Sequence, residues 1–168
     1  MANRIQLVEY DPRWPELFER EAERIRKALG DRALRIEHTG STAVPGLAAK
    51  PVIDIVLVVR NSADEDAYRS ALERAGYSLR LHETEWYEHR MFKGPEVETN
   101  LHVFSEGCPE VERVLMFRDC LRENDADRDL YAAVKKKLAE KEWNSVDEYA
   151  SAKSAVIGEI LARAQSGS

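Results

Sequence analysis

The sequence has little cysteine and no long apolar run. Only Cys108 and Cys120 are present among 168 residues, and they form no C-x-x-C pair, so a disulfide framework or a zinc ribbon has no support. No apolar stretch reaches the roughly 18 residues that a membrane helix needs, and the opening MANRIQLVEYDPRW lacks the apolar core of a signal peptide. We therefore expect a cytoplasmic protein that has no membrane contact.

Positive charge is also scarce. The chain has 25 Lys and Arg residues against 31 Asp and Glu residues, which gives a formal net charge of −6. This balance argues against extensive binding to a nucleic-acid backbone or to an anionic membrane. A small phosphorylated ligand remains open as a partner, because a basic pocket can lie inside an acidic shell.

Strand-like and helix-like segments alternate before the chain becomes wholly helical. We predict one α/β (α+β) domain over residues 1–168, a mixed sheet with flanking helices and a helical C-terminal part at about 109–164. The predicted elements are a strand in RIQLVEY, a helix from Asp11-Pro12 to Gly30, strands in ALRIEH and PVIDIVLVV, a helix in ADEDAYRSALERAGY, a hairpin from WYEHRMFKG to VETNLHVF turned at Gly94-Pro95, and three final helices.

A single aspartate interrupts the most apolar of these strands. In PVIDIVLVV, Asp54 shares one face with Val56 and Val58. An isolated ionised carboxylate in such a place costs several kcal/mol, so solvent, a basic partner or a metal ion must compensate it. Asp54 is therefore either a strand-start residue that binds loop amides or the carboxylate of a polar site at a cleft.

A Gly-Ser pair lies shortly before this strand. Gly40 and Ser41 follow ALRIEH and open a predicted short helical turn. Glycine lets a ligand approach the backbone closely, and helix N-terminal amides bind phosphate, but the pair is equally an ordinary turn with an N-cap. The stretch GSTAVPGLAAK has neither the spacing nor the ending of a P-loop, and the chain contains no dinucleotide fingerprint or serine hydrolase elbow.

The stretch EHTGSTAVPGLAAKPVIDIVLVV resembles the signature of the GrpB-like family of small bacterial proteins. The likeness continues through AGY, LHVF, FRDCLREN, YAAVKKKLA and YASAKSAVI, and so covers nearly the whole chain. The resemblance implies a nucleotidyltransferase-like mixed sheet with flanking helices, in which the Gly-Ser turn grips nucleotide phosphates. It also implies relatives in which the domain is fused to dephospho-CoA kinase, but no settled reaction.

The resemblance suggests a metal site that departs from the usual pattern of the superfold. Nucleotidyl transfer uses carboxylates on adjacent strands to hold two divalent ions. Asp54 matches the first acid, Val56 stands where the second is usual, and the third position falls near His102. We expect Glu37 and Asp54 to be the catalytic carboxylates, and Glu37, Asp54 and His102 to hold one Mg²⁺ or Mn²⁺ ion.

The basic residues complete the expected site. Phosphate is expected to meet Gly40, Ser41, Lys50, Arg90, Arg118 and Arg122. The alternatives are that Glu37 forms an ion pair with Lys50 or Arg90, and that Arg118, Asp119 and Arg122 form a solvated helix face or an Arg-Asp helix pair.

The other histidines and the lysine run are given structural roles. We expect His38 to hydrogen-bond the Gly-Ser turn and Lys135 to Lys137 to form a solvated face. A zinc pair of His82 and His89 has little support, because no further ligand spacing accompanies them.

Two functions therefore stay open. One is a metal-dependent nucleotidyltransferase acting on a nucleotide or a CoA-like phosphorylated ligand. The other is a non-catalytic nucleotide-binding or interaction module with a degenerate active site. Val56 favours the module, whereas Asp54 and the polar EHTGST turn favour a retained site, and we expect an unusual transferase.

Overall fold

A five-stranded mixed sheet forms the centre of the structure, a computed structural model that describes residues 7–139, 154 and 156–162. The strands are β1 (Arg35–Thr39), β2 (Ile53–Val59), β3 (Ser78–Glu83), β4 (His89–Lys93) and β5 (Thr99–Ser105). Their spatial order is β1-β2-β5-β4-β3. Only β2 and β5 are parallel, whereas β1 with β2, β4 with β5 and β3 with β4 are antiparallel. The mixed α/β fold predicted from the sequence is therefore confirmed.

Helices cover both faces of the sheet. They are α1 (Trp14–Leu29), α2 (Arg69–Arg74), α3 (Pro109–Glu123) and α4 (Asp125–Ala139), and residues 156–162 are also helical. Helix α1 follows a turn in which Asp11 Oδ1 accepts a hydrogen bond from the backbone N–H of Arg13 at 2.9 Å. It ends at Gly30, whose φ of 57° is one that glycine adopts readily. Among the described residues no helix is long and apolar enough to cross a membrane.

Several predicted boundaries agree with the structure. The strands in ALRIEH and PVIDIVLVV are β1 and β2, the Ser41–Ala43 segment is a 3₁₀ turn, and the hairpin is β4 with β5. The three final helices are seen as α3, α4 and residues 156–162. The predicted third helix also includes residues 145–153, which lie outside the described part of the chain.

Three elements differ from the prediction. Strand β3 was missed although Leu79 and Leu81 alternate with polar residues, because it is a short and largely exposed edge strand. The helix predicted around residues 63–77 is instead a short 3₁₀ turn (Glu65–Ala67) followed by the six-residue α2. In RIQLVEY, Val8 forms an isolated bridge to Ala49, and residues 4–6 lie outside the described part.

The two faces of β2 pack against different helices. Its odd-numbered residues, among them Ile55 and Leu57, join the large cluster that includes α1 and α2. Val56 and Val58 point the other way and pack with Phe104 against α3. We call the first the core face and the second the site face, because Asp54 lies on the second at the start of β2. Strand alternation alone therefore places Asp54 on the same face of the sheet as α3.

Candidate functional site

A cavity of about 350 Å³ opens on the site face beside the start of β2. Strands β2 and β5 form its floor, and helices α3 and α4 form its walls. The lining residues are Gly40, Ser41, Thr42, Lys50, Val52, Asp54, Asn100, Arg113, Val114, Phe117, Arg118, Leu121, Tyr131, Lys135 and Ile157. Of the residues expected at the site, the fold therefore brings Gly40, Ser41, Lys50, Asp54 and Arg118 together.

The cavity is basic although the protein is acidic. Lys50, Arg113, Arg118 and Lys135 line it together with the carboxylate of Asp54, and the two arginines are also paired with acidic residues outside the lining. The whole chain has a formal net charge of −6. A group of cations around a concave site raises the local concentration of anions, whatever the overall charge. The lining is therefore suited to an anionic ligand.

The closest contact between a cation and the Gly-Ser turn comes from Lys135. Its Nζ donates to Ser41 Oγ at 2.7 Å and to the carbonyl of Ala48 at 3.1 Å, and it lies 5.3 Å from the centre of the Tyr131 ring. Only 3% of Lys135 is exposed. The solvated face expected for the three lysines is thus wrong for Lys135.

The helical phase of α4 gives the signal that identifies Lys135. Asp127, Tyr131 and Lys135 recur at a spacing of four residues and are all buried, whereas Lys136 and Lys137 are exposed. Residues four apart lie on one face of a helix. A helical wheel centred on Tyr131 therefore separates Lys135 from its two neighbours.

Gly40 is required by the packing of the turn on Asp54. Its φ is 73°, and a Cβ added there would lie 2.6 Å from Asp54 Oδ2. Across the β1–β2 pair, Thr39 stands opposite Asp54 and donates its hydroxyl to the carbonyl of Asp54 at 3.4 Å. The glycine thus permits close approach of backbone to a carboxylate, where we had expected approach to a ligand.

Asp54 is partly solvated and lies near one imidazole. Its side chain is 30% exposed, and Oδ1 lies 3.6 Å from His102 Nε2. No other ion-pair contact of Asp54 is found in the described residues. Strand pairing explains the neighbour, because Asp54 is opposite Asn100 and Val56 is opposite His102 in the parallel β2–β5 pair.

Glu37 is held by arginines instead of approaching Asp54. Its carboxylate contacts Arg35 Nε and Arg118 Nη1, each at 3.0 Å, so the alternative pairing with Lys50 or Arg90 is not the one observed. In register Glu37 lies opposite Val56, two residues along the strand from Asp54. Both carboxylates share the site face, but the side chain of Glu37 is already engaged.

The donors do not fit the expected metal centre. Within the described residues, no three His, Cys, Asp or Glu side chains converge closely enough to hold an ion. Val56 is an apolar buried residue at the position of the second acid, and Asn100 gives an amide where the neighbouring strand would need a carboxylate. With Glu37 engaged by arginines, Asp54 and His102 leave one carboxylate and one imidazole, fewer than the three ligands expected for one ion.

The arginines expected to bind phosphate divide among three places. Arg118 lines the cavity and also donates to the carbonyl of His38 at 3.1 Å. Arg122 donates Nε to the carbonyl of Ala43 at 2.9 Å and lines an adjacent cavity of about 440 Å³ that shares Arg118. Burial and the nearby Arg118 charge lower the pKa of Arg122.

Arg90 lies on the opposite face of the sheet. It is 2% exposed and stands opposite Val103, a core-face residue. Its guanidinium contacts the carboxylates of Glu65 and Glu88, each at 2.8 Å. The fold therefore does not bring Arg90 to the cavity.

His38 is a buried structural residue of the core face. Thr42 donates its one hydroxyl proton to the carbonyl of Val52 at 3.0 Å, so His38 Nε2 must donate to Thr42 Oγ1, also at 3.0 Å. The ring stacks on Phe18 with centroids 4.9 Å apart. Burial, together with the charge of Arg122, lowers the pKa of His38 to about 4. This matches the hydrogen bond to the turn that we expected.

His82 and His89 do not form a pair. His82 contacts Glu65 at 3.1 Å. His89 contacts Glu83 at 2.7 Å through Nδ1 and His102 at 3.0 Å through Nε2. The sequence pattern missed the link from His89 to the site, because the strand register that joins β4 to β5 was not known.

The chain is similar to known proteins over nearly its full length. A family model described as GrpB protein matches residues 4–163. A UPF0157 protein of Halalkalibacterium halodurans is 61% identical over 160 residues, which cover 95% of this chain and 82% of that protein. A UPF0157 protein of Streptomyces coelicolor is 45% identical over 160 residues, covering 95% and 84%.

Two further similarities concern a kinase and a solved structure. A dephospho-CoA kinase of Mycolicibacterium paratuberculosis is 33% identical over 175 residues, which cover 89% of this chain but 43% of that protein. The crystal structure of the conserved protein GrpB from Enterococcus faecalis has a TM-score of 0.81 and 33% identity, covering 95% of this chain and 99% of that one.

Proposed function

The chain belongs to the GrpB family, and we propose that it binds a small phosphorylated ligand, a nucleotide or a CoA-like nucleotide, in the cavity beside Gly40 and Ser41. The observation that carries the proposal is the lining, in which Lys50, Arg113, Arg118 and Lys135 accompany the carboxylate of Asp54 within a protein of net charge −6. Of these cations, Arg118 is also paired with Glu37 and Asp119, and Arg113 with Glu110. The cavity volume of about 350 Å³ is in the range of small-molecule sites.

The turn and α4 supply a preorganised donor set. Lys135 is fixed by Ser41 Oγ and the carbonyl of Ala48, so little side-chain entropy is lost when it meets an anion. Because Ser41 Oγ accepts from Lys135, the Ser41 hydroxyl proton can be donated to a phosphate oxygen. Lys50 is exposed at the same cavity, and Arg118 adds a planar guanidinium suited to oxyanions.

The class of ligand is supported from two directions. A nucleotidyltransferase-like fold favours a nucleotide. The similarity to part of a protein named dephospho-CoA kinase favours a ligand related to CoA, which is itself a phosphorylated nucleotide derivative. Both share the phosphate that the basic lining is suited to bind.

Metal-dependent nucleotidyl transfer is the second candidate function. It is favoured by Asp54, a partly exposed carboxylate in the same cavity as the basic residues. The engagement of Glu37 by two arginines and the apolar Val56 count against it. Binding of a phosphorylated ligand is thus supported more directly than transfer. Whether Mg²⁺ or Mn²⁺ is required is tested with Asp54→Asn.

The binding proposal is tested with matched lysine variants. Lys135→Met and Lys136→Met change neighbouring residues of one helix, of which only the first is buried at the cavity. Pyrophosphate, ADP and dephospho-CoA are titrated calorimetrically, with ribose as an uncharged control. We expect Lys135→Met to weaken phosphate binding about tenfold or more, because a charge-assisted hydrogen bond contributes roughly 1.5–3 kcal/mol, and Lys136→Met to bind like the parent.

Two further measurements complete the test. Ser41→Ala should weaken binding without altering the circular dichroism spectrum, because it removes one hydroxyl. A ligand at 100 times its Kd should raise the free energy of unfolding by about 2.7 kcal/mol, which is visible as a melting shift. Absence of binding by all three phosphorylated probes, or equal affinity of Lys135→Met and the parent, would contradict the proposal.

A further inference from the structure

A chain of four polar side chains runs from the surface to the cavity on the site face. The exposed Glu83 contacts His89 Nδ1 at 2.7 Å, and His89 Nε2 contacts His102 Nδ1 at 3.0 Å. His102 Nε2 then faces Asp54 Oδ1 at 3.6 Å. Each imidazole directs one ring nitrogen at the side chain before it in the chain of contacts and the other nitrogen at the side chain after it. The position of the proton on one ring therefore determines the position of the proton on the next ring.

The proton order follows from the first contact. An ionised carboxylate only accepts hydrogen bonds, so the 2.7 Å contact places a proton on His89 Nδ1. When His89 is neutral, its Nε2 has a lone pair and must accept the proton of His102 Nδ1. A neutral His102 then has a lone pair on Nε2, the atom that faces Asp54.

The surroundings keep His89 neutral. Only 4% of His89 is exposed. Its ring stacks on Phe104 with centroids 4.9 Å apart and meets the Trp86 ring edge-on at 5.1 Å. A ring buried among aromatic side chains is disfavoured in its charged form.

The last contact agrees with this order. A separation of 3.6 Å between His102 Nε2 and Asp54 Oδ1 is longer than a hydrogen bond, as expected when both atoms are acceptors. Each side chain is about 30% exposed, and Asp54 lines the cavity. His102 Nε2 and Asp54 Oδ1 can therefore each accept a further hydrogen bond next to the basic residues of the cavity.

We propose that Glu83 and His89 hold His102 in its Nδ1-protonated form, so that His102 Nε2 and Asp54 Oδ1 together accept a hydrogen bond from a hydroxyl or amino group of the bound ligand. The ligand half of this inference rests on the proposed function. It adds that the ligand has a hydrogen-bond donor near its phosphate, as a sugar phosphate or a nucleoside phosphate does. Glu83 and His89 are positioning residues, and His102 and Asp54 are the contacts.

The tautomer is measured without any ligand. Long-range ¹H–¹⁵N correlation spectra of ¹⁵N-histidine-labelled protein are recorded well above the ordinary histidine pKa of about 6.5. We expect His102 and His89 to have the proton on Nδ1. His89→Leu should distribute the His102 proton over both nitrogens, whereas His82→Leu, at an exposed position of β3, should leave it in place.

A second variant covers the case in which His89→Leu does not fold. Glu83→Gln replaces an exposed side chain by an amide that can donate as well as accept, so the proton on His89 Nδ1 should no longer be fixed. A proton on His102 Nε2 in the parent would overturn the inference. So would a His102 tautomer that is unchanged in both variants.

The ligand half is tested by comparing two probes in chelator. We expect the parent to bind ribose 5-phosphate about tenfold more tightly than inorganic phosphate, because one hydrogen bond to a charged group is gained. His102→Leu should bring the ratio of the two affinities close to one while inorganic phosphate still binds. A ratio near one in the parent, or an unchanged ratio in His102→Leu, would overturn this half.

The two proposals fail in different ways. If neither probe binds to the parent, the phosphate proposal and the ligand half of this inference are both wrong. The tautomer of His102 still decides whether Glu83 and His89 position it. If inorganic phosphate binds and the ratio is near one, the proposed function stands and the acceptor pair does not.

Discussion

The two faces of strand β2 share one backbone but differ at one end. On the core face, Ile53 to Val59 present alternate side chains that are at most 4% exposed. On the site face, Val56 and Val58 are equally apolar and covered by α3, but Asp54 is 30% exposed. The comparison teaches that the site is not a whole polar face. The site lies where α3 no longer covers β2, on a face of that strand that is otherwise apolar.

Charges are also treated differently on the two faces. On the core face, the buried carboxylate of Glu21 accepts from Tyr77 at 2.6 Å, and Arg90 is paired with Glu65 and Glu88. Buried charges that are paired in this way stabilise a unique arrangement and leave little capacity for a ligand. On the site face, the cavity is lined by four cations and one carboxylate, and Arg118 and Arg113 are also paired with acidic residues outside the lining. The cavity thus adds two lysines, Lys50 and Lys135, to arginines that are already paired.

The largest predicted effect on the free energy of unfolding comes from a substitution on the core face alone. Leu57→Ala removes a fully buried side chain and should lower the free energy of unfolding by about 2–5 kcal/mol, because the cavity that is left cannot collapse completely. Affinity for pyrophosphate should be unchanged, since the side chain points away from the site. Urea denaturation and calorimetry measure the two quantities. Loss of affinity in a folded Leu57→Ala protein would contradict the separation of the faces.

The second prediction concerns pH and again falls on the core face. Folding lowers the pKa of His38 from 6.5 to about 4, so the unfolded chain binds more protons between these values. The free energy of unfolding should therefore decrease as pH falls from about 6.5 to about 4, by about 3 kcal/mol from this residue. Above pH 6.5 both states are neutral, and the contribution does not change.

A matched variant isolates the histidine. His38→Gln can still donate an N–H to Thr42 but does not titrate in this range. Denaturant unfolding of parent and variant at pH 7 and pH 4.5 should show a smaller pH-dependent loss in the variant. An equal loss in both proteins would assign the acid sensitivity to other groups.

The parts of the fold that the sequence could predict are those with strong periodicity. Helix α1 and strands β1 and β2 follow directly from apolar spacing and from Asp11 and Gly30. Strand β3 was not recognised, because its alternation consists of only Leu79 and Leu81 in a largely exposed segment that is held by pairing with β4. Local apolar periodicity thus predicts the helices and strands that bury one face, whereas an exposed strand such as β3 depends on pairing with a neighbouring strand.

The candidate site was predictable in its centre but not at its margins. Gly40, Ser41 and Asp54 lie together because two consecutive paired strands are joined by the turn that contains the glycine. Arg90 could not be placed, since a shift of one residue in register moves a side chain to the other face. Lys135 was missed although its spacing from Asp127 and Tyr131 separates it from Lys136 on a helical wheel. Long-range register is what a single sequence does not contain.

The smallest predicted effect on stability comes from Asp54→Asn, on the site face. The carboxylate is partly solvated and has one imidazole contact at 3.6 Å, so in chelator the free energy of unfolding should change by no more than about 0.5 kcal/mol. Inorganic phosphate should bind more tightly, since the variant removes a carboxylate that repels it. Two unit charges at roughly 4 Å repel by about 1 kcal/mol in water, which corresponds to roughly fivefold in affinity.

The same pair of proteins separates binding from metal-dependent transfer. Parent and Asp54→Asn are unfolded in urea with chelator and with Mn²⁺, since a ligand that binds only the folded state raises the free energy of unfolding. Stabilisation of the parent by Mn²⁺ that the variant lacks would support the second candidate function, because the amide removes the one anionic donor of the cavity. No stabilisation in either protein would leave phosphate binding as the function of the cavity. A loss of several kcal/mol in chelator would show instead that Asp54 holds the fold together, and the contrast between a covered core face and an open site face would no longer explain why an aspartate interrupts this strand.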